Sequence, residues 1–230
     1  MRYREYPDLQ DGFWQEVLPN GLTLRVVTRK GFAKTYAFYA MDYGAIDTKF
    51  VLNGETHVTP DGVAHYLEHK MFDMPYGDAM NRFAELGGNP NAFTSHTMTA
   101  YYVECTENLR ENLQTLLEFV SLPYFTQKSV DKERGIIGQE IRMYLDSADS
   151  RVYDNLFAAM YHAHPIRVPI AGTEASIAKI TPEILEMCHK AFYAPSNGML
   201  CVMGDVKPEE ICVWAEEYLP RVKFEKAKPI

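Results

Sequence analysis

The sequence has little that would staple it covalently or seat it in a membrane. Its four cysteines, Cys105, Cys188, Cys201 and Cys212, form no CxxC pair and no dense cluster. That pattern resembles buried thiols of a reducing compartment more than a disulfide framework. Nowhere do 18 apolar residues run together, and the opening MRYREYPDLQDGFWQEV lacks the apolar stretch of a signal peptide. Cytoplasm is therefore the expected location, with no membrane partner. No GxGxxG and no Walker sequence occurs, so no phosphate-cradling loop is expected. Positive charge is short as well: 23 Lys and Arg stand against 31 Asp and Glu, a net charge of -8. That balance opposes binding to phosphate backbones, and no nucleic-acid partner is expected.

What is present belongs to a globular chain. Of 230 residues, 47% are hydrophobic, 13% aromatic and 23% charged, which excludes a disordered or collagen-like chain. A chain of this size should bury roughly 70% of its unfolded surface without a metal or disulfide staple. Two alternating stretches, Phe13 to Val17 and Leu22 to Thr28, flank Pro19-Asn20-Gly21 and read as a hairpin, Asn-Gly supplying the positive φ angles of a tight turn. Thr35 to Tyr43 reads as a third strand, and the polar segment Asp47 to Thr59 as a connection. Pro60 and Asp61 then open a helix with Val63, Tyr66, Leu67 and Met71 near one face. A helix from Asp78 to Leu86 should stop at Gly87-Gly88, and strands Asn91 to Ser95 and Thr99 to Cys105 follow.

Helical spacing continues over Asn108 to Val120, Ser129 to Leu145, Arg151 to His162 and Pro182 to Tyr193. A buried strand Gly198 to Met203, a helix Pro208 to Leu219 and a linker-like FEKAKPI close the chain. Hairpins mixed with helices predict an α+β fold, a mixed, mostly antiparallel sheet with helices mainly on one face, over a single domain spanning residues 1–230.

The chemistry concentrates in GVAHYLEHKMF, where His65, Glu68 and His69 form an HxxEH pattern on the predicted helix. The two imidazoles fall one turn apart on the same face and can chelate one ion; Glu68 stands where it can take a proton from water beside that ion. The bland alternative is a solvated helix face. Hydrolytic zinc takes three protein ligands and keeps a fourth position open, so a further His, Cys or carboxylate is required. ERGIIGQEI offers Glu133 and Glu140 on one helical face, one to ligate and the other to orient a ligand histidine. Gly135 and Gly138 lie between them; each costs a helix about 1 kcal/mol, which a close approach to another backbone would explain. His162 and His164 form an HxH pair that also reads as a helix terminus.

HxxEH followed by ExxxxxxE resembles the pitrilysin/insulinase family of inverted-motif zinc peptidases, which includes the mitochondrial processing peptidase. The likeness extends through PNGLTLRVV, GGNPNAFTSHTMTAYYVE and ERGIIGQEIRMYLD, and DGVAHYLEHKMF, NAFTS, GIIGQEI and IAGT are especially similar to the bacterial YmfH-type branch. The resemblance implies a zinc-dependent endopeptidase with His65, His69 and Glu140 on Zn2+, Glu68 as general base and Glu133 as supporting acid. It also implies that Asn91, Ala92 and Phe93 line an edge to which an extended peptide substrate adds. Family members use two such α+β units, fused or paired, to enclose the substrate, so this chain is expected to be the N-terminal half of a two-unit assembly, with a second homologous unit, in the same parent chain or as a separate subunit, as partner. Pro90 departs from the family pattern before Asn-Ala and should disturb the start of that strand. The rival readings are a non-catalytic scaffold half, and a lyase resembling S-ribosylhomocysteine lyase, which would need a cysteine as third ligand.

Overall fold

The computed structural model describes residues 1–219 and 227–230. The chain opens with β1 (Arg2–Tyr6), β2 (Asp11–Val17), β3 (Thr23–Thr28) and β4 (Thr35–Met41), followed by the short β5 (Lys49–Leu52) and β6 (Glu55–Val58). Helix α1 (Val63–Met71), the two-residue strands β7 (Asp73–Met74) and β8 (Gly77–Asp78), and α2 (Ala79–Glu85) come next. Strands β9 (Asn89–Thr94) and β10 (Thr99–Cys105) lead to α3 (Leu109–Ser121), α4 (Gln127–Asp146) and α5 (Ala148–Met160). The short α6 (Glu174–Ile177), α7 (Pro182–Phe192), β11 (Gly198–Gly204), α8 (Pro208–Tyr218) and β12 (Lys228–Pro229) complete the described chain.

Seven strands form the main sheet in the order β1-β2-β3-β11-β4-β10-β9. Every neighbour is antiparallel except β3 and β11, so the sheet is mixed and mostly antiparallel. Alternation sets its two faces. Leu24, Val26, Ala37, Tyr39, Tyr101, Val103, Leu200 and Val202 are buried in one core with Leu113, Leu116 and Leu117 of α3, Phe192 of α7 and Ile211 of α8. Arg25, Tyr36, Phe38, Tyr102 and Cys201 alternate with them on the opposite, half-buried face. No helix among the described residues is long and apolar enough to cross a membrane.

Four expectations need correction. The segment Asp47 to Thr59 is not a plain connection: it holds the β5–β6 hairpin, turned at Asn53 (φ 52) and Gly54 (φ 82). At the first hairpin only Gly21 has a positive φ; Pro19 instead occupies the second position of a turn closed by the Gly21 amide bonding the Leu18 carbonyl at 2.8 Å. Strand β9 begins at Asn89 and runs through Pro90, so proline does not disturb its start. The end of the chain is not all linker, since β12 pairs with Phe50 and Val51; the first part of FEKAKPI lies outside the described residues.

Candidate metal centre

Helix α1 starts after Gly62 and is buried on nearly every side, His65 and Glu68 each being 8% exposed. A helix buried all round is a core element, so the solvated-face reading of HxxEH fails. Tyr66, next to His65 on this helix, donates to the Val130 carbonyl of α4 at 2.5 Å, which fixes the two helices against each other.

That docking brings residues some 70 positions apart into one cluster. Ligand-capable atoms of His65, His69 and Glu140 lie within 4.8 Å of one another, the one such group of three among the described residues. Glu140 Oε2 stands 3.6 Å from His65 Nε2 and 3.4 Å from His69 Nε2. Glu133, two turns back on α4, accepts from His69 Nδ1 at 3.0 Å and so turns the other ring nitrogen toward Glu140. Gly135 and Gly138 play no part in this approach. A Cβ at Gly135 would meet nothing within 4 Å and one at Gly138 only the Arg142 guanidinium at 3.8 Å, so close backbone contact does not explain them.

Two residues that sequence reasoning gave no role complete the arrangement. Thr94 Oγ1 donates to Glu68 Oε2 at 2.7 Å, and Tyr144 Oη donates to Glu140 Oε1 at 2.6 Å. Each had a signal: Thr94 lies inside NAFTS, and Tyr144 follows Glu140 by one helical turn.

The electrostatics describe a site that asks for positive charge. Burial opposes a proton on His69, yet bonds to Glu133 and Glu140 prevail and push its pKa up to about 10. The imidazoles of His65 and then His69 hold the Glu140 carboxyl well below the usual carboxylate range. Burial raises Glu68, against the opposing bond from Thr94. His65 Nδ1 is buried without a hydrogen-bond partner, and its Nε2 stands beyond hydrogen-bond distance of Glu140. Two imidazoles and a carboxylate with converging donors, no thiolate among them, are the chemistry of a zinc site with three protein ligands. The residues present therefore fit that ion.

The cluster opens into a cavity of about 740 Å³, walled by Ala92, Phe93 and Thr94 of β9, the last turns of α4, the start of α5 and residues 169–175. Strand β9 is the outer strand of the sheet on that side. Asn91 faces an adjoining cavity that Ala92 also lines, and its Oδ1 accepts from the Ala92 amide at 2.8 Å. Among the described residues His162 and His164 join no metal-capable group: His164 Nδ1 accepts from the Ile166 amide at 3.1 Å beyond the end of α5.

Known proteins share this architecture. The family model "Insulinase (Peptidase family M16)" matches residues 51–174, and "Peptidase M16 inactive domain" matches residues 179–230. The chain is 48% identical over 209 residues to the uncharacterized zinc protease YmfH of Bacillus subtilis, covering 90% of this chain and 49% of that one. It is 27% identical over 211 residues to the mitochondrial-processing peptidase subunit beta of Caenorhabditis elegans, covering 90% of this chain and 44% of the relative. An M16-like peptidase crystal structure from Alicyclobacillus acidocaldarius superimposes with a TM-score of 0.90 at 38% identity, over 100% of this chain and 53% of that one. The chain thus spans about half the length of these relatives. On the family match, which takes in the α1 and α4 site, the chain belongs to the insulinase family of peptidases, peptidase family M16.

Proposed function

We propose that this chain is the zinc-bearing half of a two-unit endopeptidase that hydrolyses unfolded or small peptides. The observation that carries the reading is the convergence of His65, His69 and Glu140 within 4.8 Å beside a buried Glu68, at the floor of an open cavity. In this reading His65, His69 and Glu140 hold the ion, and Glu133 keeps His69 in the tautomer that presents Nε2. Zinc bound there supplies a Lewis acid that polarises the scissile carbonyl and lowers the pKa of water toward about 7. Glu68 takes the proton from the attacking water and returns it to the leaving amine, a two-way duty suited to a carboxylate whose proton affinity burial has raised. Thr94 engages Oε2 and leaves the other Glu68 oxygen free for that transfer. The reaction needs no covalent intermediate.

The edge of β9 suits an extended peptide, which would add as a further strand past Asn91, Ala92 and Phe93, exchanging the Asn91 side-chain bond to the Ala92 amide for backbone pairing. Coverage of about half of each relative supports a second homologous α+β unit that closes over the cavity. The four free thiols favour a reducing compartment, and we propose the cytoplasm on that ground. No cysteine belongs to the metal-capable group, which tells against the lyase reading.

The test is hydrolysis of an unstructured fluorogenic peptide by the chain combined with its second unit. Turnover that Glu68→Gln lowers by at least about a hundredfold, zinc content unchanged, supports the reading. Equal turnover by Glu68→Gln would refute the general-base role, and no turnover in either protein would favour the scaffold half.

A further inference from the structure

The Glu140 carboxylate is shared between two directions. Its Oε2 faces the imidazoles of His65 and His69, while its Oε1 accepts from Tyr144 Oη at 2.6 Å. Tyr144 stands four residues on from Glu140 and one turn away on the same face of α4. Tyr144 is 39% exposed on the cavity wall, so packing alone does not dictate where the hydroxyl points. A phenol donating to an ionised carboxylate at this distance makes a charge-assisted bond, about twice as strong as a neutral one. Among the described residues Tyr144 is the one hydrogen-bond donor to Oε1, so losing it leaves that oxygen unheld.

We infer that Tyr144 is a positioning residue of the metal centre, holding Glu140 by its outer oxygen so that the inner oxygen alone would be offered to an ion together with His65 and His69. The inference rests on the zinc reading proposed above and adds a reason for the coordination number. An oxygen engaged by the phenol would be withheld as a second donor, so the protein would offer three donor atoms, the number that a hydrolytic zinc site uses. Tyr144 need not touch the reacting atoms to do this.

The experiment uses zinc and cobalt(II) alone with wild type, Tyr144→Phe and Glu140→Gln, so it needs neither a substrate nor a second unit. Phenylalanine keeps the ring and removes the donor. Chelator competition should show zinc bound roughly ten- to a hundredfold more weakly by Tyr144→Phe, the usual cost of losing a partner that orients a ligand. Its metal-free melting temperature should match wild type. The visible bands of bound cobalt(II), which report coordination number, should weaken as the released oxygen becomes a second donor. Unchanged affinity and an unchanged cobalt spectrum in Tyr144→Phe, with binding lost in Glu140→Gln, would overturn the role of Tyr144 and leave the zinc reading standing. Lowered metal-free stability with unaltered metal affinity would mark a packing role and overturn it equally. Failure of wild type to take up either ion would bring down the zinc reading and this inference with it.

Discussion

Gly62 and Gly172 cross where the start of α1 passes the loop that walls the cavity, and replacing either by alanine should loosen the site from outside. Gly62 has φ +89, and a Cβ there would lie 2.5 Å from the Ala171 carbonyl oxygen; Gly172 has φ +73, and its Cβ would lie 2.6 Å from the Asp61 carbonyl oxygen. The left-handed backbone costs an alanine about 1 to 2 kcal/mol. Carbon and carbonyl oxygen rarely approach closer than about 3.3 Å, so the two backbones must part by nearly an ångström. Forced overpacking of that kind adds about 1 to 3 kcal/mol. Gly62→Ala should therefore cost about 2 to 5 kcal/mol, a large share of the 5 to 15 kcal/mol that holds a typical domain together. Gly31→Ala is the control, since φ there is +81 but nothing lies within 4 Å of its Cβ. It should cost only the backbone share, about 1 to 2 kcal/mol. Once Gly62→Ala has parted the segments, Gly172→Ala no longer meets the same obstacle, so the double variant should fall short of additivity by about 1 to 3 kcal/mol. Equilibrium urea unfolding of wild type and the four variants measures each quantity. Equal losses in Gly62→Ala and Gly31→Ala, or strict additivity of the pair, would refute the crossing as the cause.

Burial lowers the pKa of His189 to about 4, against a smaller opposing effect of its bond to the Val120 carbonyl, from an ordinary value of 6.5. The unfolded chain therefore takes up this proton first on acidification: the contribution is complete above about pH 6.5 and falls away toward pH 4, by up to about 3 kcal/mol. Urea unfolding across that window should show a shallower pH dependence in His189→Gln, and an unaltered slope would count against a buried neutral imidazole. Lys70 is 1% exposed and bonded to the half-exposed Asp73 at 2.6 Å. Asp73→Ala strands a buried ammonium and should cost about 1 to 3 kcal/mol, whereas adding Lys70→Met should recover most of it in a thermal melt; a double variant no more stable than Asp73→Ala would contradict this.

How much was legible in the sequence follows from where each residue's partners lie. Helix α1 was readable because its start signals, apolar spacing and HxxEH all fall within a dozen residues. The β5–β6 hairpin was not, because only Phe50 and Leu52 of its strands are buried, and the exposed Glu55, Thr56 and Val58 give no apolar alternation. Its Asn53-Gly54 was the turn signal to trust there, more so than Asn20-Gly21. Strand β1 is exposed at all five positions and likewise carries no pattern. Spacing could name Glu133 and Glu140 as candidates, but their separate duties depend on how α4 docks on α1 through Tyr66, a tertiary fact. The family resemblance implies those duties, and they belong to the zinc reading proposed above. The glycines of α4 misled because a helix tolerates glycine at about 1 kcal/mol without any packing reason.

The most direct test of the account is the metal content of the purified chain by elemental analysis, wild type beside His65→Ala, Glu140→Gln and the four Cys→Ala variants. About one zinc per chain is expected, retained in every cysteine variant and lost in the other two, as three protein ligands without thiolate require. Zinc that persists in both His65→Ala and Glu140→Gln, or none in wild type after anaerobic reconstitution, would contradict it.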